Sequence, residues 1–249
     1  RMLFAKANGG LKPTGFVAEM NRVYKGYSPS LSQNLMNLVA SHDSPRFSTS
    51  FLNKQKYKYR MGARGNTNLH LGPPDAEVIR EMRMMLLHQF TYISAPHIWS
   101  GDELGMWGAD DPDCRKPVIW GDMVHRSQVF DPLGNRHNPI PVTPDTKLRS
   151  YYKALISLRK KRSELKFGNI EYVLADDQAM TLAYIREDGH HRSLMVFNFS
   201  KSPRVLRLKT KNDPSLLVES ELGALISTRY EDGVLKVNLN SKSSAALIL

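Results

Sequence analysis

The strongest constraint on the fold is a repeated order of apolar run, long polar segment and amphipathic helix. The apolar runs at 34–40 and 96–99 have the composition of buried strands. A helix is predicted after each of them, the first capped by Asp75 and the second beginning at Thr143-Pro144. Each intervening loop exceeds about 15 residues, a length that is uncommon in compact domains unless the loop is functional. Because loops of parallel α/β folds leave the carboxyl ends of strands, both are expected on the face where α/β barrels place their active sites. A shorter helix is predicted at 14–24, with Thr14 as its N-cap.

From about Lys166 the sequence changes to short β-rich segments separated by turn residues. The dipeptides Asp188-Gly189 and Asp232-Gly233 are typical of tight hairpin turns. This spacing predicts an antiparallel β-sandwich. Its strands are predicted at 170–174, 181–185, 194–199, 205–208, 216–218, 234–239 and 245–249.

Composition excludes several classes of protein. The one cysteine, Cys114, excludes an internal disulfide framework and a cysteine-based zinc cage. No apolar run approaches the roughly 20 residues of a membrane-spanning helix, and the opening RMLFAKANGG lacks the apolar core of a signal peptide. The net charge is +11, but its positive residues are spread along the chain, which favours a solubilising role over nucleic-acid binding. The compartment, cytoplasmic or exported, stays open.

Two polar motifs follow the predicted strands. SHDSPR, residues 41–46, places a carboxylate beside an imidazole, a pair that can hold sugar hydroxyls or merely close a turn. GDELGMWGADDPDCRKPVIW, residues 101–120, combines several acids with Arg115, Trp107 and Trp120. The arginine fork suits hydroxyls and carboxylates, and the tryptophans could stack on sugar faces. The alternative is a packed loop in which acids and arginine pair with each other. Calcium is disfavoured because the spacing lacks the glycine and closing glutamate of an EF-hand.

Together the two motifs resemble the alpha-amylase family of glycoside hydrolases (family 13). DPDCRKP is most similar to its neopullulanase, cyclomaltodextrinase and maltogenic amylase branch, and YYKALISLRKKRSELKFG resembles the last barrel helix. YIREDGHHRSLMVFNFS resembles the start of the family's C-terminal β domain. The resemblance implies an α/β plus all-β chain. Residues 1–165 would be the C-terminal part of a (β/α)8 barrel, about its last two βα units, and residues 166–249 an antiparallel β-sandwich.

The resemblance also assigns roles to four residues. Asp43 matches the third catalytic carboxylate of the family, which binds the sugar being cleaved and stabilises its oxocarbenium-like transition state. His42 matches the histidine that contacts the same sugar. Asp111 and Arg115 match an acid and an arginine that bind the next glucose on the non-reducing side. No cofactor and no metal ligand are expected.

The bond-breaking pair of a retaining glycosidase is expected outside this sequence. The family places its nucleophile and its acid/base after the fourth and fifth barrel strands, whereas the strands recognised here resemble the seventh and eighth. A barrel alone takes about 250 residues. We therefore expect the chain alone to hydrolyse no glucan and to need the missing N-terminal part of the barrel as a partner. Because a partial barrel exposes strand edges and apolar faces, we expect one of three situations: a fragment with a missing partner segment, a chain that self-associates into a homo-oligomer, or a stable sandwich with a rearranged barrel remnant.

Two other functions compete with this interpretation. The sandwich could be a non-catalytic carbohydrate-binding module, but its aromatic residues fall mostly within strands, where core packing is the usual role. The segment NKQKYKYRMGAR, residues 53–64, interleaves basic residues with tyrosines, as nucleic-acid-binding surfaces do. A solvated loop at the active-site rim explains the same segment, so no nucleic acid is expected as a partner.

Overall fold

The computed structural model describes residues 11–54, 56, 60–209 and 225–249. Its contacts divide the chain into two compact units. One unit contains Leu38–Met82 and His97–Lys153, and the other contains Gly10–Asn37, Arg83–Pro96 and Ala154–Leu249. Neither unit is a continuous stretch of chain, and the predicted domain boundary between residues 165 and 166 stays a prediction.

Three of the six described helices are long, and the other three are one or two turns. The long helices are α1 (Pro13–Lys25), α4 (Ala76–Thr91) and α5 (Thr146–Lys161). The short ones are α2 (Pro29–Asn34), α3 (Phe47–Leu52) and α6 (Ser163–Phe167). No helix in the described part of the chain is long and apolar enough to cross a bilayer.

The predicted helix starts are only partly correct. Asp75 caps α4 as expected, since its Oδ1 accepts the backbone N–H of Val78 at 2.8 Å. Helix α5 is capped by Asp145, whose Oδ1 accepts the N–H of Leu148 at 2.8 Å, and not at Thr143. Helix α1 has Lys12 as its N-cap, so the prediction for Thr14 was wrong.

The predicted strand at 34–40 is much shorter in the structure. Strand β1 is Met36–Leu38, and it pairs with β2, Ala95–His97. A short helix precedes β1: Ser28 Oγ accepts the N–H of Leu31 at 3.3 Å and caps a helix that ends at residue 34, which accounts for the first predicted position only. Met36 is 61% exposed and Leu38 46%, so the expectation of a strand covered on both faces was also wrong. The barrel assignment of this pair stays a prediction.

The second long loop contains a hairpin that the sequence did not indicate. Strand β3, Gln128–Phe130, pairs antiparallel with β4, Arg136–Ile140. Its turn is held by Asp131, whose Oδ1 accepts the N–H groups of Leu133 and Asn135 at 2.8 Å each. Neither strand shows strong apolar alternation, which is why the pattern was read as a loop.

The antiparallel sandwich is confirmed by the strands of the C-terminal segment. One sheet has the order β11-β7-β6-β5 and the other β8-β10-β9. Apolar side chains of both sheets form one buried cluster. The predicted strand 216–218 lies outside the described residues, and β9 was missed. The strands are β5 (Asn169–Asp176), β6 (Thr181–Glu187), β7 (Arg192–Asn198), β8 (Arg204–Lys209), β9 (Leu225–Glu231), β10 (Val234–Leu239) and β11 (Ser243–Ile248).

Both predicted hairpin turns are present. Asp232 and Gly233 have φ of 50° and 76° between β9 and β10, the two positive values that a type I′ turn requires. Gly189, between β6 and β7, has φ of 89°. The turn dipeptides therefore fix where these strands end, and with them the register of the sheets.

Arg186 on β6 is a fully buried cation that joins several backbone segments of its unit. Its Nη2 donates to the carbonyl of Gly168 at 2.8 Å, its Nε to that of Asn169 at 3.1 Å and its Nη1 to those of Leu165 and Thr91. Burial lowers the pKa of this guanidinium to about 10, which leaves it charged at neutral pH.

Replacing Arg186 by methionine should destabilise the chain by at least about 3 kcal/mol, because several buried carbonyls would lose their donor. The free energy of unfolding in urea measures this loss. Arg207→Met is the matched control, since Arg207 lies on the exposed face of β8. It should change stability by less than about 0.5 kcal/mol. Equal losses in the two variants would contradict the structural role of Arg186.

Candidate functional site

The four predicted site residues come together at the end of β1 and in the loop that follows β2. His42 and Asp43 lie between β1 and α3, and Asp111 and Arg115 lie in the second polar motif, all within one compact unit. Arg115 ends a one-turn 3-10 helix, Asp113–Arg115, which turns its side chain back toward Asp111.

Arg115 links the two acids of this group. Its Nε donates to Asp111 Oδ1 at 2.5 Å, and its Nη2 lies 3.5 Å from Asp43 Oδ1. The other Asp43 oxygen, Oδ2, lies 3.4 Å from His42 Nε2. We call His42, Asp43, Arg115 and Asp111 the surface ion-pair chain. All four side chains are about half exposed, so solvent or a polar ligand can reach each of them.

A buried ion pair lies beneath this surface. Arg46 and Asp102 are each only 1% exposed, and Arg46 Nη1 lies 3.4 Å from Asp102 Oδ1. Arg46 also donates to two backbone carbonyls, from Nε to Cys114 at 2.7 Å and from Nη1 to Ser100 at 2.6 Å. Its guanidinium stands 5.2 Å from the ring centroid of Trp99. One side chain thereby fixes the backbone at Cys114, within the second motif, and at Ser100, just before it.

The guanidinium of Arg46 occupies space that is open because residue 101 is glycine. Gly101 has φ of 97°, a left-handed conformation that favours glycine. A Cβ there would collide with Met106 Sδ and lie 3.1 Å from Arg46 Nη1. The glycine of the GDEL motif thus provides both the turn and the space for the buried guanidinium.

Further hydrogen bonds connect the two motifs at the level of the backbone. Cys114 Sγ donates to the carbonyl of His42 at 3.2 Å, which places the start of the first motif against the second. Thr49 Oγ1 accepts the N–H of Gly108 at 2.9 Å, and Ser48 Oγ donates to the carbonyl of Met106 at 2.8 Å. Cys114 is buried, and burial raises the pKa of its thiol, so its role here is structural.

The two tryptophans of the second motif differ in accessibility. Trp120 is 51% exposed and could stack on a sugar. Trp107 is only 5% exposed, so the prediction that it stacks on sugar was wrong: the indole belongs to the core. Tyr184 and Phe197 of the sandwich are fully buried, which agrees with a core role for those aromatic residues.

A cleft of about 520 Å³ opens beside the surface ion-pair chain. Asp111 and Arg115 form part of its wall, together with Arg64 and Lys116. The wall is therefore rich in hydrogen-bond donors and acceptors, as a site for a hydroxylated ligand requires. Part of the basic segment 53–64 also borders it through Gly62, Ala63 and Arg64, whereas Gln55 and residues 57–59 lie outside the described residues.

Comparison with known proteins shows what this chain is similar to. No model of a known protein family matches the chain. Neopullulanase 2 of Thermoactinomyces vulgaris is 32% identical over 186 residues, which are 74% of this chain and 24% of that protein. A cyclomaltodextrinase of a Bacillus species is 29% identical over 182 residues, which are 73% of this chain and 25% of that protein. The chain thus spans about a quarter of the length of these relatives.

A solved cyclomaltodextrinase structure superposes on 95% of this chain and 33% of its own, with a TM-score of 0.66 and 23% identity. That likeness bears on the fold. With the sequence relatives, it confirms the resemblance to the alpha-amylase family of glycoside hydrolases. The sequence relatives named above are a neopullulanase and a cyclomaltodextrinase. The matched stretch is consistent with the C-terminal portion of such an enzyme.

The buried pair of Arg46 and Asp102 makes the free energy of unfolding depend on pH. Burial raises the pKa of Asp102 to about 7, although Arg46 acts in the opposite direction. An unfolded aspartate has a pKa of about 3.9, so between about pH 4 and 7 the folded state binds more protons than the unfolded state. Asp102 therefore contributes a free energy of unfolding that falls as pH rises through this window, by up to about 1.4 kcal/mol per pH unit. Buried His88, whose pKa is lowered to about 3 mainly by desolvation, contributes an opposite rise of similar slope up to about pH 6.5.

Asp102→Asn should remove the Asp102 contribution, because the amide does not titrate, so its free energy of unfolding should rise with pH relative to that of the wild type. Urea unfolding between pH 4.5 and 8 measures it. Asp122→Asn, at an exposed position of the same loop, is the control and should keep the wild-type slope. Parallel profiles for the wild type and Asp102→Asn would show that Asp102 is not the titrating group.

Proposed function

We propose that this chain is the C-terminal portion of a retaining α-glucan hydrolase and supplies the sugar-binding, charge-stabilising side of its active site. The observation that carries the proposal is the surface ion-pair chain, in which the four residues assigned by resemblance form one accessible group. The substrates proposed are the α-glucosidic bonds of starch, pullulan, cyclodextrins or maltooligosaccharides, because the named relatives are a neopullulanase and cyclomaltodextrinases.

In this proposal Asp43 is the carboxylate nearest the reacting sugar. Both of its oxygens are held by ion pairs of 3.4–3.5 Å, and neither contact is as short as a charged hydrogen bond of about 2.7–2.9 Å. Sugar hydroxyls can therefore replace these contacts at little cost. An ionised carboxylate at that position would also stabilise positive charge that develops on the sugar ring in the transition state.

Arg115 and Asp111 would bind the next glucose as a unit. The guanidinium offers donors and the carboxylate acceptors, and a pair of neighbouring sugar hydroxyls needs both. His42 would contact the reacting sugar through its ring, beside Asp43. The exposed ring of Trp120 is accessible for stacking on a sugar.

The bond-breaking residues are proposed to lie on a segment other than this chain. A retaining glycosidase needs two carboxyl groups about 5–5.5 Å apart, a nucleophile and an acid/base. Asp43 and Asp111 are both occupied with Arg115, and the resemblance gives neither of them that role. The relatives extend over about four times the matched length, which is ample for the other two carboxyl groups. The chemistry proposed needs no cofactor.

The purified chain alone should show no turnover of maltooligosaccharide or pullulan above the background rate, since an oxocarbenium-stabilising carboxylate without a nucleophile breaks no bond. Release of reducing ends over long incubation measures this. Turnover that disappears in Asp43→Ala would show that the chain is a complete enzyme and contradict the proposal.

The chain should still bind maltotetraose, weakly, because the four residues proposed to contact sugar form one accessible group. Asp111→Asn should weaken binding about tenfold, the factor that corresponds to about 1.4 kcal/mol for a hydrogen bond to a charged group. Titration calorimetry measures both constants, with Asp122→Asn as the control that should bind like the wild type. Equal affinity of Asp111→Asn and the wild type would contradict the role given to Asp111.

A further inference from the structure

A second cluster of charged and metal-ligating side chains lies away from the surface ion-pair chain, entirely within the other compact unit. It consists of Glu164 on α6 and of Asp188 and His191 in the turn between β6 and β7. One carboxylate oxygen of each acid and one ring nitrogen of His191 lie within 4.8 Å of one another. These three residues are called the α6–turn cluster below.

Glu164 supplies an unsatisfied anionic oxygen. Its side chain is fully buried, and its Oε1 accepts from Arg162 Nε at 2.6 Å and from Ser193 Oγ at 2.5 Å. The second oxygen, Oε2, is buried and has no hydrogen-bond partner. Buried carboxylate oxygens are normally paired, because a charge removed from water without a partner is costly. A cation bound by Glu164, Asp188 and His191 would compensate this buried charge.

The turn holds Asp188 and His191 in a fixed arrangement. Asp188 Oδ1 accepts the backbone N–H groups of His190 and His191 at 3.0 and 2.8 Å. Ser163 Oγ donates to Asp188 Oδ2 and lies 3.0 Å from His191 Nδ1. Secondary hydrogen bonds of this kind orient the ligands of metal sites.

We infer that the α6–turn cluster binds a divalent transition-metal ion, with Zn²⁺ as the best match. One imidazole nitrogen and two carboxylates suit zinc, whereas calcium and magnesium prefer oxygen ligands alone. Each ligand atom of bound zinc is about 2 Å from the ion, so the three atoms need to approach to within about 4 Å of each other. His191 is 51% exposed and can make this adjustment, and the same exposure gives the ion a path of entry.

The charges of the cluster are compatible with binding. The two carboxylates carry −2 when His191 is neutral, and the nearby guanidinium groups of Arg162 and Arg186 oppose a cation. Arg162 contacts Oε1 and leaves the other oxygen of Glu164 unpaired, and Arg186 donates its hydrogen bonds to backbone carbonyls rather than to Glu164. A bound ion would tie α6 to the β6–β7 turn, a structural role that is independent of glucan chemistry.

Zinc titration of the full chain tests the inference, with a chromophoric chelator as competitor and the thermal unfolding midpoint as a second readout. The wild type should bind one Zn²⁺ and unfold at a higher temperature when it is bound. His191→Gln should weaken zinc binding at least about tenfold and abolish the thermal shift, because it removes the nitrogen ligand. The matched control is His190→Gln, at the neighbouring exposed position, which should behave like the wild type.

Co²⁺ provides a signature that nonspecific binding does not give. Its visible absorption should show a low-coordinate site in the wild type and in His190→Gln, and none in His191→Gln. The inference is overturned if the wild type binds no zinc at millimolar concentration, or if the two histidine variants lose binding equally. Neither result depends on whether the chain acts on glucans.

Discussion

The buried guanidinium of Arg46 is the interaction on which the proposed site depends. It reaches Asp102, the backbone carbonyls of Cys114 and Ser100 and the face of Trp99 from a position with 1% exposure. A buried cation must be paired and hydrogen-bonded, and breaking such a pair costs about 3–5 kcal/mol. Arg46 also continues directly from the segment with His42 and Asp43, so the buried pair sets the position of one motif against the other.

The site therefore has a rigid layer and an accessible layer. Below, Arg46, Gly101 and Cys114 fix backbone positions through buried contacts. Above, the surface ion-pair chain exposes about half of each side chain and is held by two longer ion pairs and one short hydrogen bond. This division suits a site for sugars, since preorganised backbone fixes the geometry while the exposed polar groups exchange their contacts for hydroxyls.

Sequence patterns predicted the parts of the structure that local chemistry determines. Asp75 capped its helix, the Asp-Gly dipeptides formed turns, and six of the seven described sandwich strands lay where β-rich segments predicted them, β9 being the exception. The strand predicted at 34–40 is only Met36–Leu38 in the structure, and a short capped helix that the sequence pattern did not indicate precedes it. Grouping of the four site residues came from the family resemblance. The Arg46–Asp102 pair and the burial of Trp107 depend on contacts between distant segments, which spacing along a chain does not reveal.

The central claim is that the surface ion-pair chain binds glucan. The most direct test follows the Nε–Hε signal of Arg115 and the ring signals of His42 by NMR while maltotetraose is added to the purified chain. The account predicts saturable shifts of both signals, and an about tenfold higher midpoint concentration for the Arg115 shift in Asp111→Asn. Saturable shifts confined to residues of the sandwich, with Arg115 and His42 unchanged, would contradict it.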